Sequence, residues 1–218
     1  MALIRYGVLL FSVLGLAADS VTLSVSQYVN ANKVRVHVFA GTISSRAGSE
    51  YVEVLVRDCG ATGDRLIAGT RTGNSGSWRV EDPLSEPPYT FNAVYSGSVF
   101  RARWAGNYSA PVEWRLPATP QVARISGTRT WVVHVTPATP WGQVGFRGKA
   151  VELQRLSPGG WVRVRSARLA RKASLRWGPF NYQVRFTVPT RGLRLRAYLP
   201  ERSAAPCFLP GASKTWRS

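Results

Sequence analysis

The sequence predicts an all-β chain organised as two tandem β-sandwich domains. Three observations carry this expectation. Past residue 20 no segment sustains a 3.6-residue apolar period, whereas short stretches alternate apolar with polar residues at period two. Gly, Pro, Ser and Asn fill the gaps, as turns between antiparallel strands require. The same succession of strands occurs twice along 218 residues, a length that suits two domains of about 100 residues each.

The first twenty residues stand apart from the fold. Arg5 supplies a positive start, and Val8 to Leu16 (VLLFSVLGL) form an apolar run too short to span a bilayer. Gly15-Leu16-Ala17 or Ala18-Asp19-Ser20 offers a small-x-small cleavage pattern. Residues 1–20 are therefore expected to be a signal peptide, leaving a secreted chain without a transmembrane segment. The first sandwich, residues 21–117, is expected from VTLSVS (21–26), VRVHVF (34–39), YVEVLV (51–56), YTFNAVY (89–95) and FRARW (100–104). RLPATPQVARI (115–125), with prolines at 117 and 120, reads as a linker. The second sandwich, residues 118–218, is expected from TWVVHV (130–135), AVELQR (150–155), WVRVR (161–165), YQVRFTV (182–188) and LRLRAYL (193–199). SARLARKASL (166–175) reads as strand and loop.

The repeat is legible residue by residue. His37 matches His134, Glu53 matches Glu152, and Arg101 with Arg103 match Arg194 with Arg196, at separations of 97, 99 and 93 residues. Drifting separations fit a duplication with loop insertions, each copy having the size of an immunoglobulin-like sandwich. The two histidines are then one strand position seen twice. His37 is expected to oppose Val36 and Val38, and His134 to oppose Val133 and Val135, each on the less apolar face of its sandwich. No shared metal or acid–base pair is expected from them. No G-x-S-x-G, H-E-x-x-H or phosphate-binding G-x-x-x-x-G-K-[ST] occurs, and the second half offers only Glu152 and Glu201 as carboxylates. No enzyme, metal or cofactor is expected.

The pieces VEVLVRDCG, SGSWRV, FRARWAGNYSAPVEWRL and VELQRLSPGGWVRV…FTVPTRGLRLRAYL resemble tandem immunoglobulin-like or fibronectin-type-III-like repeats of exported proteins from high-GC bacteria. The resemblance covers nearly all of residues 21–218. It implies extracellular, non-catalytic modules used as spacers, stalks or adhesion surfaces, and brings no set of functional residues with it. LPGAS (209–213) departs from the L-P-x-T-G sorting motif.

Charge singles out the second half. Residues 1–117 hold 11 basic and 9 acidic residues, whereas residues 118–218 hold 18 basic and 2 acidic ones, most of the net +18. Such asymmetry points to an anionic partner. Val162 and Val164 are expected to face in, and Arg163 and Arg165 out; Leu193 and Leu195 in, and Arg194 and Arg196 out. With Trp161 they would form an Arg-rich face on the strands flanking Glu152 and Gln154, suited to phosphate or carboxylate on an envelope polymer, an anionic lipid surface or an acidic glycan. Arg185 is expected to point out of the opposite sheet. The competing reading is that 25 of the 29 basic residues are Arg because of codon usage alone. A carbohydrate-binding module is the alternative function. Trp78, Trp104, Trp114 and Trp131 read as core, Trp161 as exposed, and Trp141, Trp177 and Trp216 as loop residues.

Cys59 and Cys207 are the two cysteines. An even number in a secreted chain favours pairing, and the topology puts Cys59 at the turn after the third strand and Cys207 in the loop before the last. The two fall in different sandwiches, where a Cys59–Cys207 disulfide would lock the domain angle; two unpaired thiols or pairing between chains stay open as alternatives.

Overall fold

Alternation does produce strands, and the sheet pairing shows which face of each looks inward. The computed structural model describes residues 19–31, 35–83, 95–135, 145–171 and 182–218. The expected signal peptide through residue 18, the expected strand at 89–95 up to residue 94, Trp141, Trp177 and SARLARKASL beyond Arg171 lie outside the described residues. The strands are β1 (Ser24–Val29), β2 (Arg35–Thr42), β3 (Tyr51–Arg57), β4 (Arg65–Arg71), β5 (Ser77–Pro83), β6 (Ser98–Trp104), β7 (Asn107–Tyr108), β8 (Val112–Trp114), β9 (Leu116–Pro117) and β10 (Gln121–Arg124). They continue with β11 (Thr130–Val135), β12 (Ala150–Ser157), β13 (Gly160–Arg168), β14 (Ala170–Arg171), β15 (Tyr182–Thr187) and β16 (Arg194–Leu199). A four-residue helix α1 (Glu201–Ala204) precedes β17 (Phe208–Leu209), β18 (Gly211–Ala212) and β19 (Trp216–Arg217). The fold is an all-β sandwich of antiparallel sheets.

The described chain divides into two units. The first holds residues 19–57, 63–83 and 99–112; the second holds 58–62, 95–98 and 113–218. In the first unit, sheet β1-β2-β5 faces sheet β4-β3-β6-β7. Phe39 of β2 meets Phe100 of β6 at 5.1 Å between ring centroids, and Val52, Val54, Val56, Trp78 and Trp104 complete this core. In the second unit, sheet β10-β11-β15-β14 faces β13-β12-β16-β18, with β19 also paired to β16. Val133, Val135, Val151, Leu153, Phe186, Leu195 and Leu199 fill its interior.

The duplication is clearest in the second sheet of each unit. The β3–β4 register shifts between Val54 and Leu55, and the β12–β13 register shifts between Leu153 and Gln154, the matching step. A serine then closes the edge in the same way twice. Ala102 N–H donates to Ser109 Oγ (2.9 Å) while Ser109 N–H donates to the Ala102 carbonyl (2.9 Å); Ala197 and Ser213 repeat this at 3.0 and 2.9 Å. The register corrects one sequence match: Arg101 corresponds to Arg196, and Arg103 to Tyr198, because Glu53 lies opposite Arg103 where Glu152 lies opposite Tyr198.

The histidines are not one position seen twice. His134 opposes the core residues Val133 and Val135 as expected, and shares its face with Val132 and, across the ladder, exposed Arg185. His37 is turned the other way. Its ring stacks at 6.3 Å from Phe39 and lies 6.5 Å from Phe100, inside the sandwich and fully buried. Val36 and Val38 face outward yet are buried beneath a 2.9 Å hydrogen bond from the Tyr28 hydroxyl to Glu81, which crosses β2 from β1 to β5. A central strand covered on both faces loses its apolar–polar contrast, and a one-residue slip in a similar motif reverses every side chain.

The 115–125 segment is structure, not a free linker. Leu116–Pro117 pairs in parallel with Phe208–Leu209, Ala118 N–H donates to the Leu209 carbonyl (3.0 Å), and Gln121–Arg124 is already a strand. This region encloses the Cys59–Cys207 disulfide, whose Cα atoms lie 5.6 Å apart. Ser96 Oγ donates to the Cys207 carbonyl (2.6 Å) and accepts from Leu116 N–H (3.0 Å). Gly97, at φ +77°, is required there, because a Cβ would lie 2.4 Å from the Cys207 Cα.

Candidate polyanion-binding face

The outer face of the β13-β12-β16-β19 sheet in the second unit carries the residues of interest. Leu153 and Leu195 point into the core, so Glu152 and Gln154 on β12, and Arg194, Arg196 and Tyr198 on β16, point outward. Gln154 pairs with Arg163 and Leu156 with Trp161, which brings both β13 residues to that face. Arg217 of β19 lies opposite Arg194 and extends the face by one strand.

Arg165 does not belong to it. The register shift leaves Val164 as the extra residue of β13, so Arg165 pairs with core-facing Leu153 and sits on the other side of the edge strand. Val162 and Val164, expected to face inward, are 46% and 45% exposed. An edge strand has a neighbour on one side only, and this one is further twisted by its bulge, so alternation does not report burial there. Arg185 is exposed on the opposite sheet, as its frame indicates.

The face is organised by one chain of contacts. Arg196 Nε donates to Gln154 Oε1 (2.9 Å), Gln154 Nε2 donates to Glu152 Oε2 (2.9 Å), and Arg163 lies 3.7 Å from the other Glu152 oxygen. The Arg196 guanidinium lies 4.4 Å from the centroid of Trp161 and 5.4 Å from that of Tyr198. Burial lowers the Arg196 pKa from its ordinary value, with Tyr198 partly opposing; arginine still carries its charge at neutral pH. Arg196 is thus the fixed centre. Arg163, whose side chain is 59% exposed, Arg194 and Arg217 offer their guanidinium groups to solvent.

The first unit supplies an internal comparison. On its corresponding face, Arg103 is ion-paired with Glu53, and Asp64 lies 2.8 Å from Arg57 and 3.6 Å from Arg101. Arg103 holds the Glu53 carboxyl below its usual range, chiefly through the hydrogen bond. Register places Asp64, just before Arg65, where the second unit has Trp161, just before Val162. An Arg–carboxylate pair has become an Arg–indole stack. The second face keeps one of the two carboxylates, Glu152, and adds Arg163, Arg194 and Arg217.

Sequence reasoning missed Arg217, because a two-residue strand shows no alternation. It missed the Asp64–Trp161 correspondence because loop lengths differ between the copies. Among the described tryptophans, Trp78 and Trp104 are buried, Trp114 is half-buried, and Trp131 stacks on Trp216 at 5.4 Å with Arg124 over its ring at 5.7 Å.

The chain matches no protein-family model and no curated protein. Among the described residues no helix is long and apolar enough to cross a membrane, and no three His, Cys, Asp or Glu side chains converge as a metal site would need.

Proposed function

We propose that this is an exported, non-catalytic adhesion or spacer protein built from tandem immunoglobulin-like or fibronectin-type-III-like units, whose second unit contacts anionic envelope polymer or acidic glycan. One observation carries the reading: equivalent sheet faces pair their arginines with carboxylates in the first unit and leave Arg163, Arg194 and Arg217 with little counter-charge in the second. Export is supported by the signal-like first twenty residues and the disulfide, which belongs to oxidising compartments. The strand orders β1-β2-β5 with β4-β3-β6-β7, and their counterparts in the second unit, support the resemblance to such repeats. Arginine's planar fork suits phosphate, sulfate and carboxylate groups. A neutral-sugar platform is less well supported, because Arg196 lies over the Trp161 ring.

The test separates the face from net charge. Arg163→Gln/Arg194→Gln/Arg217→Gln is compared with Arg165→Gln/Arg185→Gln/Arg202→Gln, an equal charge change elsewhere. Binding to immobilised poly(glycerol phosphate) and to a sulfated glycan is measured across a salt series, with neutral dextran as control. The face variant should bind roughly tenfold or more weakly at low salt, from three contacts of about 0.5–1 kcal/mol each. Equal losses in both variants would reduce the effect to bulk charge and defeat the assignment.

A further inference from the structure

A cavity of about 270 Å³ opens at one end of the second unit, lined by Arg124, Arg129, Trp131, Val188, Thr190, Arg191 and Ser218, none of them one of the sheet-face arginines. Three arginines line it, with no Asp or Glu side chain among the lining residues; Ser218 is the last residue of the sequence. Two arginines are anchored by backbone: Arg124 Nε donates to the Thr128 carbonyl (2.9 Å), and Arg129 Nη1 donates to the Pro189 carbonyl (2.7 Å). Each anchor uses one N–H and leaves the others for a ligand. The loops behind them are closed by Thr128 N–H to the Ile125 carbonyl (3.1 Å) and Val188 N–H to the Arg129 carbonyl (3.0 Å). Arg191 makes no hydrogen bond or ion pair among the described residues.

The geometry points to a site for a tetrahedral oxyanion, a phosphate or sulfate ester on a glycerol- or sugar-sized group. Convergent, pre-anchored guanidinium groups recognise such an anion through several charge-assisted hydrogen bonds. The volume lies just under the range of drug-sized sites, which suits one small esterified unit and no more. Trp131 is closed by Trp216 and Arg124, so the ring forms a wall and not a sugar-stacking platform. The site is independent of the sheet face and would stand if that reading failed.

The test is titration of the intact protein with inorganic phosphate, inorganic sulfate and glycerol 1-phosphate, followed by calorimetry and thermal unfolding, with sodium chloride at matched ionic strength. Saturable binding is expected for phosphate or sulfate and not for chloride. Glycerol 1-phosphate binding should strengthen as pH rises through about 6, where the ester gains its second charge, while sulfate binding stays level. Arg191→Gln, which removes no internal bond, should weaken binding about tenfold, and Arg129→Gln/Arg191→Gln should abolish it. The Arg163→Gln/Arg194→Gln/Arg217→Gln variant should bind these small anions as wild type does. Stabilisation matched by chloride, or binding unchanged in Arg191→Gln and in the double variant, would overturn the proposal.

Discussion

Opening the Cys59–Cys207 disulfide should destabilise the second unit by about 5 kcal/mol. The crosslink joins residues 148 apart. In the chain-entropy treatment a loop of that size loses roughly 17 cal/mol/K in the unfolded ensemble, about 5 kcal/mol at room temperature. The value tolerates a change of mechanism. If the first unit stays folded and holds Arg57 and Gly63 in place, the unfolded loop shrinks to the stretch from Glu113 to Cys207, and the logarithm moves the result only to about 4.7 kcal/mol. Native contacts should survive the loss, because Ser96 still bridges the Cys207 carbonyl and the Leu116 N–H. The assay is urea unfolding by tryptophan fluorescence, comparing oxidised protein, reduced protein and Cys59→Ala/Cys207→Ala. With a slope of roughly 1–3 kcal/mol/M, the midpoint should fall by about 2–5 M. A shift equivalent to less than about 1 kcal/mol, or two alkylatable thiols in unreduced protein, would refute the reasoning.

Three further outcomes follow from single side chains. His37→Ala should cost about 2–4 kcal/mol, as truncation of a core ring does, with no change in metal content by elemental analysis; a neutral effect would mean that the ring is not in the core. Glu53, whose pKa is lowered by Arg103, stabilises the fold fully above the ordinary glutamate range and loses that contribution as pH falls through its depressed value. Glu53→Gln should therefore lose up to about 1 kcal/mol at neutral pH and nothing in strong acid, read from urea midpoints at both pH values. Gly97→Ala places a Cβ against the Cys207 backbone at positive φ, so the variant should be destabilised by at least about 1–3 kcal/mol and accumulate free thiols during oxidative refolding, counted by alkylation.

What the sequence showed depended on how each strand was covered. On β3, β6, β12 and β16 alternation reported the inward set correctly: Val54, Phe100, Leu153 and Leu195 are buried where the pattern requires, although Leu55 and Gln154 on the outward faces are buried too. β2 is covered on both sides, so Val36, His37, Val38 and Phe39 are all buried and the inward set was chosen wrongly. β4 and β13 are edge strands with a bulge. Ile67 and Val164 each interrupt the period, which hid RLIAGTR as a strand and moved Arg165 off the face. The basic character of the second half needed no structure. The location of that charge did, because register within a sheet is set by pairing partners that a single strand does not contain.

The duplicated sheets also bear on whether the charge reflects composition alone. Codon usage would add arginine wherever it is tolerated, with no link to what stands opposite. Here the change is paired. Arg101 and Arg196 hold the same position, yet the partner changes from Asp64 to Trp161, an indole that steadies the guanidinium without neutralising it. At the neighbouring positions Arg103 gives way to Tyr198, which adds a second ring beside Arg196. A stack of this kind contributes about 0.5–2 kcal/mol to holding Arg196 in place and leaves its positive charge available to whatever approaches the sheet. On this face the first unit holds Arg57, Arg101 and Arg103 in ion pairs. The second holds Arg196 beside two aromatic rings and exposes three arginines around it, of which Arg163 lies 3.7 Å from Glu152. That paired exchange supports the proposed binding face over arginine codon usage alone.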